Sequence, residues 1–380
     1  MALGVKNFLN KTMYYSSCLQ EKIDFCLKQK QKGQKGPQQN LLIGDLSLQN
    51  SLIMAPLSGI SHAAFRLLMQ ELGAGACVSE LISIHGLAYG GNKTKEMLFC
   101  FPEETHTGIQ LFGEPSPHFS SAAKMAEEAG ALFVDLNMGC PVKKVVHKGA
   151  GAALLKDTSL LGNLFSSLKK STNIPVTIKI RTGWDSSSLN ALEVLRIAKE
   201  EGIEWVAIHG RTRAQGYSGK ADWNYIEMLA EEKILPIIGN GDLHTPSLIR
   251  QKRHSTKCKA LMLGRGPLRR PFIFLESFCE STLVPKFVLS DYVEVLWRFR
   301  DLLRKSFSRE ATQLINLKKH SVWILSGFPR AASLREEIFR SHSVLEWEKV
   351  INQYLLSTPL DQEKPLLEEE ALNFMSGGHG

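Results

Sequence analysis

The chain is organised around one stretch, Val134-Asp-Leu-Asn-Met-Gly-Cys-Pro-Val-Lys-Lys-Val-Val-His-Lys-Gly-Ala-Gly-Ala152. Residues 132–136 are apolar except for Asp135, which predicts a buried β-strand. The strand ends at Gly139-Cys140-Pro141, where glycine permits unusual backbone angles and proline fixes φ, so the thiol is held on a rigid turn. Lysines at 143, 144 and 148 follow. A thiol in such a setting indicates chemistry on an anionic substrate, although a lone cysteine after a strand is also typical of a small buried hydrophobe.

Size and composition restrict the class of protein. The 380 residues are 43% hydrophobic and 22% charged, as in an ordinary globular protein, and we expect a cytoplasmic monomer with no membrane-spanning segment and no secretory signal. The seven cysteines include no Cys-x-x-Cys pair and the histidines show no metal-binding motif, so no metal site is predicted. A net charge of +8 favours a polyanionic partner.

Short apolar runs alternate with stretches of helical spacing between residues 41 and 280. The runs are Leu52–Leu57, Ala76–Leu81, Gly108–Phe112, Leu132–Asn137, Val176–Ile180, Trp205–His209, Pro236–Gly239 and Ala260–Leu263. Eight strand–helix units predict an α/β fold, the (β/α)8 TIM barrel. A doubly wound open sheet is the competing architecture, and the lack of Gly-x-Gly-x-x-Gly after the first strand counts against it.

Polar residues stand at the end of each predicted strand. In parallel barrels these C-terminal ends build the active site, and a phosphate commonly binds the loops after strands seven and eight. Here those loops are Gly239-Asn-Gly-Asp242 and Gly264-Arg-Gly266, which offer backbone N–H groups and an arginine for bidentate contact. The strand-end residues are Ser58, Glu80, Gln110, Asn137, Cys140, Lys179, Arg181, His209, Arg211, Asn240, Asp242 and Arg265.

Three segments are predicted along the chain. Residues 1–40 end in a Lys/Gln/Gly tract without apolar periodicity, which predicts a basic, disordered extension. Residues 41–285 form the barrel. Residues 286–375 have helical periodicity and are predicted to form a helical tRNA-binding domain. Between 286 and 340 eleven Lys and Arg stand against six Asp and Glu, a surplus that fits an ordinary solvated helix face in part and an RNA-facing surface in part.

At this point the motifs resemble those of the tRNA-dihydrouridine synthases, and the last two resemble their bacterial B-type branch. The resemblance covers roughly residues 42–350 and is carried by Met54-Ala-Pro56 with Gly59, Gly108-Ile-Gln-Leu-Phe-Gly113, Asn137-Met-Gly-Cys-Pro141 with Lys144-Val145 and Gly149-Ala-Gly151, Lys179-Ile-Arg-Thr-Gly-Trp184, His209-Gly-Arg-Thr-Arg-Ala-Gln-Gly-Tyr217 with Ala221-Asp-Trp223, Gly239-Asn-Gly-Asp242, Gly264-Arg-Gly266, Lys319-His320 and Gly327-Phe-Pro329. Pro267-Leu-Arg-Arg270 departs from the family pattern beside the expected phosphate site, which leaves the contacts there open.

The resemblance implies an FMN-dependent oxidoreductase that reduces the C5–C6 double bond of particular uridines in tRNA, with NADPH as electron donor. In the family's scheme the flavin gives hydride to C6 and the Cys140 thiol gives a proton to C5. A thiol near its ordinary pKa of about 8.5 is mostly protonated at neutral pH, as a general acid must be. The nearby lysines are expected to lower this pKa, and phosphates of the substrate are one group that could offset them.

Roles for individual residues follow from the matched motifs. Pro56, Leu57 and Ser58 are expected beneath the flavin. Gln110 is expected at its ring edge and Lys179 near its N1–O2 end. His209 is expected either in that same region or at the phosphate. Ribityl and phosphate are assigned to Asn240, Gly241, Asp242, Gly264 and Arg265. Contacts to the tRNA are assigned to Asn137, Lys144, Arg181, Arg211 and Arg213, and surface salt bridges are the alternative for the four cations among them.

Two other functions are compatible with parts of the sequence. One is an FMN barrel that acts on a small molecule, like dihydroorotate dehydrogenase, against which the basic helical segment and the Gly-Cys-Pro turn count. The other is a tRNA-binding relative without catalysis, which would be expected to lack Cys140 or Lys179.

Overall fold

The computed structural model describes residues 14–32 and 42–365. Eight strands form a barrel, and two short strands form a hairpin before it. The strands are β1 (Leu42–Ile43), β2 (Leu46–Ser47), β3 (Leu52–Met54), β4 (Ala76–Ser83), β5 (Thr107–Phe112), β6 (Phe133–Met138), β7 (Val176–Arg181), β8 (Val206–His209), β9 (Ile237–Asn240) and β10 (Ala260–Leu263).

The barrel is closed and all its strands run parallel. The strands are neighbours in chain order from β3 to β10, and β10 also pairs with β3, with Leu261 opposite Leu52. Each predicted apolar run overlaps one barrel strand. The prediction of a TIM barrel is therefore confirmed, and closure excludes the open doubly wound sheet. The hairpin of β1 and β2 is too short to leave a periodic pattern in the sequence.

The interior of the barrel changes from apolar to polar along the strands. Residues two apart on a strand share a face, so Phe133, Asp135 and Asn137 of β6 follow one another along the interior. Phe133 packs edge to face against Trp205 with ring centroids 5.6 Å apart. Residue 108 must be glycine, since a Cβ there would lie 2.1 Å from the Phe133 ring. Apolar packing thus fills the N-terminal end and leaves the C-terminal end to polar groups.

Sixteen α-helices are found among the described residues. They are α1 (Ser17–Lys32), α2 (Ala63–Glu71), α3 (Ile84–Ala88), α4 (Asn92–Glu96), α5 (His118–Glu128), α6 (Lys143–Val146), α7 (Leu161–Lys170), α8 (Ala191–Glu200), α9 (Trp223–Glu231), α10 (Pro246–Ser255), α11 (Gly266–Arg269), α12 (Ile273–Glu276), α13 (Leu289–Ser306), α14 (Glu310–Ile324), α15 (Ala331–Arg340) and α16 (Val344–Leu356). On α8 the buried residues are Ala191, Val194, Leu195 and Ala198, a spacing that places them on one side of a 3.6-residue turn. Within residues 14–32 and 42–365, no helix is both long and apolar enough to cross a membrane.

The described residues divide into two compact units, a barrel unit (42–277) and a helical unit (14–32 with 278–365). In the helical unit, buried Trp347 donates from Nε1 to Ser321 Oγ at 2.9 Å and packs edge to face on Trp297. Ser343 caps the first turn of α16 by accepting from the backbone N–H of Glu346.

The prediction of a disordered extension is wrong for residues 17–32, which form α1. Leu19, Ile23 and Cys26 are buried along one side of this helix. Polar contacts add to that packing, because Lys22 Nζ lies 2.6 Å from an Asp291 carboxylate oxygen. The remainder of the predicted extension lies outside the described residues, as do residues 366–375 of the predicted helical domain.

Candidate active site

A cavity of about 200 Å³ opens at the C-terminal ends of the barrel strands. Both apolar and cationic side chains line it. Its lining includes most of the residues predicted from the strand ends, namely Pro56, Leu57, Ser58, Asn137, Cys140, Lys179, Arg181, His209, Arg211, Asn240, Gly241, Asp242, Gly264 and Arg265. Gln110, Lys144 and Arg213 lie outside this lining.

Beneath the cavity, a chain of hydrogen bonds runs from the barrel interior to the Cys140 turn. Thr177 and Gln110 each donate to one oxygen of the Asp135 carboxylate, both at 2.6 Å. Asn137 donates from Nδ2 to Gln110 Oε1 at 2.7 Å, and its Oδ1 accepts from the backbone N–H of Cys140 at 3.0 Å. Gln110 is fully buried. Both ends of its amide are thus engaged with neighbours, and its observed contacts orient Asn137.

Asp135 makes this chain sensitive to pH. Burial raises the pKa of its carboxyl to about 6, while the hydrogen bonds from Gln110 and Thr177 and the charge of Lys179 oppose that rise. The unfolded chain has the ordinary lower value of about 4, so between pH 4 and 6 the folded state binds more protons than the unfolded state. The free energy of unfolding contributed by Asp135 therefore decreases as pH rises through this window.

We expect Asp135→Asn to remove that pH dependence, because an amide does not titrate. Between pH 4 and 6 the stability of the wild type should decrease relative to the variant by up to about 3 kcal/mol, from a shift of about two pKa units. Thermal unfolding of both proteins across this range measures the difference. Parallel curves of midpoint against pH would show that Asp135 has an ordinary pKa.

The Cys140 thiol lies on the wall of the cavity, half-buried, on a turn fixed from two sides. Its carbonyl accepts from the backbone N–H of Ala152 at 3.1 Å. Residue 151 must be glycine, since it has φ +61° and a Cβ there would lie 2.9 Å from that carbonyl. Arg181 Nε donates to the Gly139 carbonyl at 2.8 Å. The turn therefore keeps the thiol in one place.

Burial raises the pKa of the Cys140 thiol, and the N–H of Val142 and the charges of Arg181 and Lys179 only partly oppose it. The thiol is thus protonated at neutral pH. Lys143, Lys144 and Lys148 are exposed to solvent and are not the cations that act on it. The expectation that these lysines lower the pKa is therefore wrong, and no substrate phosphate is needed to offset them.

Two basic residues of the cavity have lowered pKa values. Burial lowers the pKa of Lys179 to about 8, with the charge of Arg181 acting in the same direction. The ammonium of Lys179 makes no hydrogen bond to any residue of 14–32 or 42–365. Burial, followed by the charges of Arg181, Lys179 and Arg211, holds the pKa of His209 well below its ordinary value, so the imidazole is neutral. His209 Nε2 lies 3.3 Å from an Arg211 nitrogen and accepts from it, which leaves the proton on Nδ1.

Arg181 and Arg211 are buried and bonded mainly to the protein. Arg181 Nη1 donates to the carbonyls of Thr212 and Gly216 at 2.9 and 2.7 Å. Arg211 donates to both oxygens of Asp242, at 2.8 and 3.0 Å. Both guanidinium groups therefore hold the loop after β8 in place. Their observed contacts are with the framework of the cavity.

Asp242 has φ +54° and is fixed at the end of β9. Burial by itself would raise the pKa of its carboxyl. Hydrogen bonds from His244, Arg211 and the N–H of Ala221 lower the pKa by more than burial raises it, so the pKa lies well below its usual range. The side chain is consequently a paired carboxylate, poorly suited to contact a phosphate. The backbone of this loop remains available for that contact.

Arg265 and Gly264 are the open part of the expected phosphate site. The guanidinium of Arg265 lies 5.5 Å from the Tyr217 ring and forms no hydrogen bond or ion pair within the described parts of the chain. A Cβ at Gly264 would meet no atom within 4 Å. The departure at residues 267–270 is structural, because Arg270 forms a bidentate pair with Glu276, at 2.5 and 2.7 Å.

Lys144 and Arg213 lie on the outer surface of this end of the barrel. Lys144 is exposed on α6. Arg213 stacks on Trp184 with its guanidinium carbon 4.4 Å from the ring, and Lys156 Nζ lies 4.0 Å from the same ring. Two further residues, Asp135 and Tyr217, were not among the predicted site residues. A carboxylate inside an apolar run is a detectable signal for Asp135, and the matched motif that ends at Tyr217 is the signal that could have found this residue.

A parallel barrel with a polar cavity at its C-terminal strand ends is the architecture of a barrel enzyme. In agreement, the fold resembles that of histamine dehydrogenase from Rhizobium sp. 4-9, with a TM-score of 0.50 and 13% identity over 69% of this chain and 50% of that one. At this identity the likeness concerns the fold alone.

Sequence comparison gives the family. Residues 53–357 match the model of the dihydrouridine synthase (Dus) family. The chain is 34% identical over 296 residues to tRNA-dihydrouridine synthase B of Pseudomonas syringae pv. tomato, which covers 77% of this chain and 88% of the relative. It is 33% identical over 296 residues to the enzyme of the same name from Vibrio cholerae serotype O1, covering 77% and 92%. The chain belongs to the dihydrouridine synthase family and is an oxidoreductase.

Proposed function

We propose that this enzyme reduces the C5–C6 double bond of uridines in tRNA, with FMN bound in the barrel cavity and NADPH as electron donor. The observation that carries the proposal is the Cys140 thiol, which a fixed turn presents to the cavity and which burial keeps protonated. A protonated group at a defined position is what the addition of a proton to a carbon atom requires. The names of the bacterial relatives support tRNA as the substrate.

The residues of the cavity fit FMN, which joins a flat apolar ring to an anionic phosphate. Ala55, Pro56, Leu57 and Met262 give the cavity an apolar side for the ring. Arg265 and Lys179 are cations without a hydrogen-bond partner among the described residues, and Gly264 leaves open space beside Arg265. We assign the ring to residues 56–58 with Lys179 and His209, and the ribityl and phosphate to Asn240, Gly264, Arg265 and the backbone of Gly241 and Asp242.

When bound, reduced FMN supplies a hydride. The residues of the chain supply the proton and the geometry. The thiol of Cys140 gives its proton to C5 of the uracil, and the Asn137 amide holds the turn that carries the thiol. Lys179 places positive charge in the cavity, where it stabilises negative charge on a bound ring. Neutral His209 offers the N–H at Nδ1 as a donor.

Gln110 and Asp135 contribute to this geometry through Asn137. The Asp135 carboxylate takes one N–H of the Gln110 amide, which fixes the oxygen of Gln110 toward the N–H group of Asn137. The oxygen of Asn137 is thereby directed to the backbone of the Cys140 turn. Arg181 and Arg211 hold the loop after β8 in place. Arg181 does so through the carbonyls of Thr212 and Gly216, and Arg211 through the carboxylate of Asp242.

We propose that the helical unit contacts the RNA backbone, and that exposed cations of the barrel unit contact it as well. A base must leave its stack to enter the cavity, so contacts with phosphates and neighbouring bases have to offset the cost of unstacking. Part of the basic surplus of the helical unit is used internally, because Arg300 and Arg304 both pair with Glu348. Lys305 is better placed to contact phosphates, since it is exposed and lies outside that network.

Incubation of the purified protein with unmodified tRNA and NADPH tests the proposal. We expect yellow, flavin-bearing protein and dihydrouridine in the tRNA, measured by mass spectrometry of its nucleosides. A matched reaction with free uridine and with orotate should give little product. Turnover of either small molecule at the rate seen with tRNA would favour the small-molecule reductase instead, and colourless protein that FMN does not restore would contradict the cofactor assignment.

A further inference from the structure

A group of aromatic and imidazole rings lies on the barrel unit apart from the cavity. It consists of Tyr89, His85 and His118 and is called the Tyr89 cluster below. Tyr89 stacks on His85 with centroids 6.1 Å apart, and each of these two rings meets His118 edge to face, at 5.8 and 5.3 Å. Tyr89 is 79% exposed, the highest value for an aromatic side chain within 14–29 and 42–365. None of the roles derived above uses this cluster.

The cluster is held rigidly although its outer ring is exposed. His85 Nε2 lies 2.6 Å from a Glu114 carboxylate oxygen, which fixes the imidazole beneath Tyr89. The helix α3 that carries His85 is anchored by buried Ile84 and Leu87, and Ser83 caps it by accepting from the N–H of Gly86. An exposed ring on a fixed base loses little conformational freedom when a ligand stacks on it.

The cluster lies on the same side of the barrel as Cys140. Its residues come from the segments that follow β4 and β5, at the C-terminal ends of those strands. Glu114 also adjoins the loop that carries Cys140, since a Cβ at Gly149 would lie 3.6 Å from its Cβ. A substrate that reaches Cys140 therefore approaches the end of the barrel that also carries Tyr89.

The surroundings of the cluster indicate which ligand it takes. Lys93 and Lys95 are exposed on α4, directly after the Gly90-Gly91 turn that follows Tyr89. An exposed aromatic ring beside exposed lysines is the combination with which proteins bind unpaired nucleotides, where the ring stacks on a base and the ammonium groups contact phosphates. A protein partner would instead favour a broader apolar surface, and Lys93 and Lys95 oppose one here.

We propose that Tyr89, supported by His85 and His118, is a stacking platform for an unpaired base of the RNA substrate, outside the cavity and at the same end of the barrel. The inference rests on the proposed function, because it takes RNA as the substrate. The platform binds any base by its face, so it adds affinity and positions the strand without reading sequence. Lys93 and Lys95 contact phosphates beside it.

The dissociation constant for unmodified tRNA, measured by fluorescence anisotropy, tests the platform directly. We expect Tyr89→Ala to raise it about tenfold and Tyr89→Phe or Tyr89→Trp to leave it near the wild-type value, since stacking needs the ring and not the hydroxyl. Tyr89 is exposed, so all three variants keep the core. The slope of the logarithm of the binding constant against the logarithm of the salt concentration separates stacking from charge, because only phosphate contacts depend on salt. Tyr89→Ala should leave this slope unchanged. The double variant Lys93→Gln with Lys95→Gln should reduce its magnitude by about one to two.

A second measurement locates the base. Abasic nucleotides are placed one at a time on either side of the reacting uridine. At one position the missing base should weaken tRNA binding by the wild type. For the tRNA that is abasic at that position, Tyr89→Ala and the wild type should have the same affinity. Equal affinity of Tyr89→Ala and wild type, or a Tyr89→Phe variant as weak as Tyr89→Ala, would overturn the platform. Binding of tRNA without dihydrouridine formation would overturn the proposed function alone, and absence of tRNA binding by the wild type would overturn both.

Discussion

The Cys140→Ala enzyme should bind tRNA and accept electrons from NADPH as the wild type does, and should form dihydrouridine about 10²- to 10⁴-fold more slowly. That range is the usual contribution of a positioned general acid, and the structure gives Cys140 both properties the role needs. Burial keeps its thiol protonated, and the bonds of Asn137 and Arg181 fix the turn that carries it. Single-turnover reduction of tRNA by the pre-reduced enzyme measures the step in which the proton is used.

The pH dependence of the same step gives an independent check. An acid acts while it is protonated, so the rate should remain level through neutral pH and decrease only as pH rises through the pKa of the thiol, which burial places above its ordinary value. Cys18→Ala is the matched control, since this thiol is exposed and lies in α1 of the helical unit. If Cys140→Ala retained more than about a tenth of the wild-type single-turnover rate, a general-acid role would be contradicted.

The barrel could be predicted from the sequence because its strands are short apolar runs that alternate with helical segments. Runs such as Val176–Ile180 are buried on both faces in a parallel barrel, so they stand out from the amphipathic helices between them. The polar residues that end these runs face one cavity because parallel strands share one C-terminal end. This argument brings Asn137, Lys179 and Asn240 together without knowledge of any distance.

What sequence reasoning could not give is which polar groups satisfy one another. Arg211 and Asp242 look like ligand-binding residues in the sequence, but they form a partly buried ion pair between the ends of β8 and β9. Gln110 is predicted to touch a flavin, which stays a prediction, and its amide bonds to Asp135 and Asn137 could not be read from the sequence. Pairings between separate strands depend on register and side-chain reach, which no local pattern records.

The helix α1 shows a different kind of error. Its apolar residues Leu19, Ile23 and Cys26 have helical spacing in the sequence. The Lys/Gln tract that begins at Lys28 dominated the interpretation, although Lys and Gln are good helix formers and the tract alone does not end a helix. A helix of this length is only marginally stable by itself, so packing of its apolar residues against the rest of the unit decides whether it forms. That packing is a tertiary effect.

The largest expected loss of stability follows from Glu104→Ala. Glu104 forms an ion pair with Arg66 in the barrel unit, where the Glu104 side chain is 1% exposed and that of Arg66 is fully buried. Arg66 donates to both oxygens of the carboxylate, at 2.8 and 3.2 Å, and the N–H of Phe101 donates to one of them at 2.9 Å. Removal of the carboxylate leaves a buried guanidinium without its counter-charge, which costs about 3–5 kcal/mol.

In a unit of this size such a loss lowers the midpoint of thermal unfolding by about 10 °C, as measured by circular dichroism on the full chain. Glu103→Ala is the matched control, because the neighbouring side chain is exposed and should change the midpoint little. The double variant Arg66→Met with Glu104→Leu should recover most of the loss, since it removes both charges and keeps the volume. A midpoint within 2 °C of wild type for Glu104→Ala would mean that water or a rearranged side chain compensates Arg66. In that case the ion pair would fix the conformation of the loop around residue 101 without stabilising the fold.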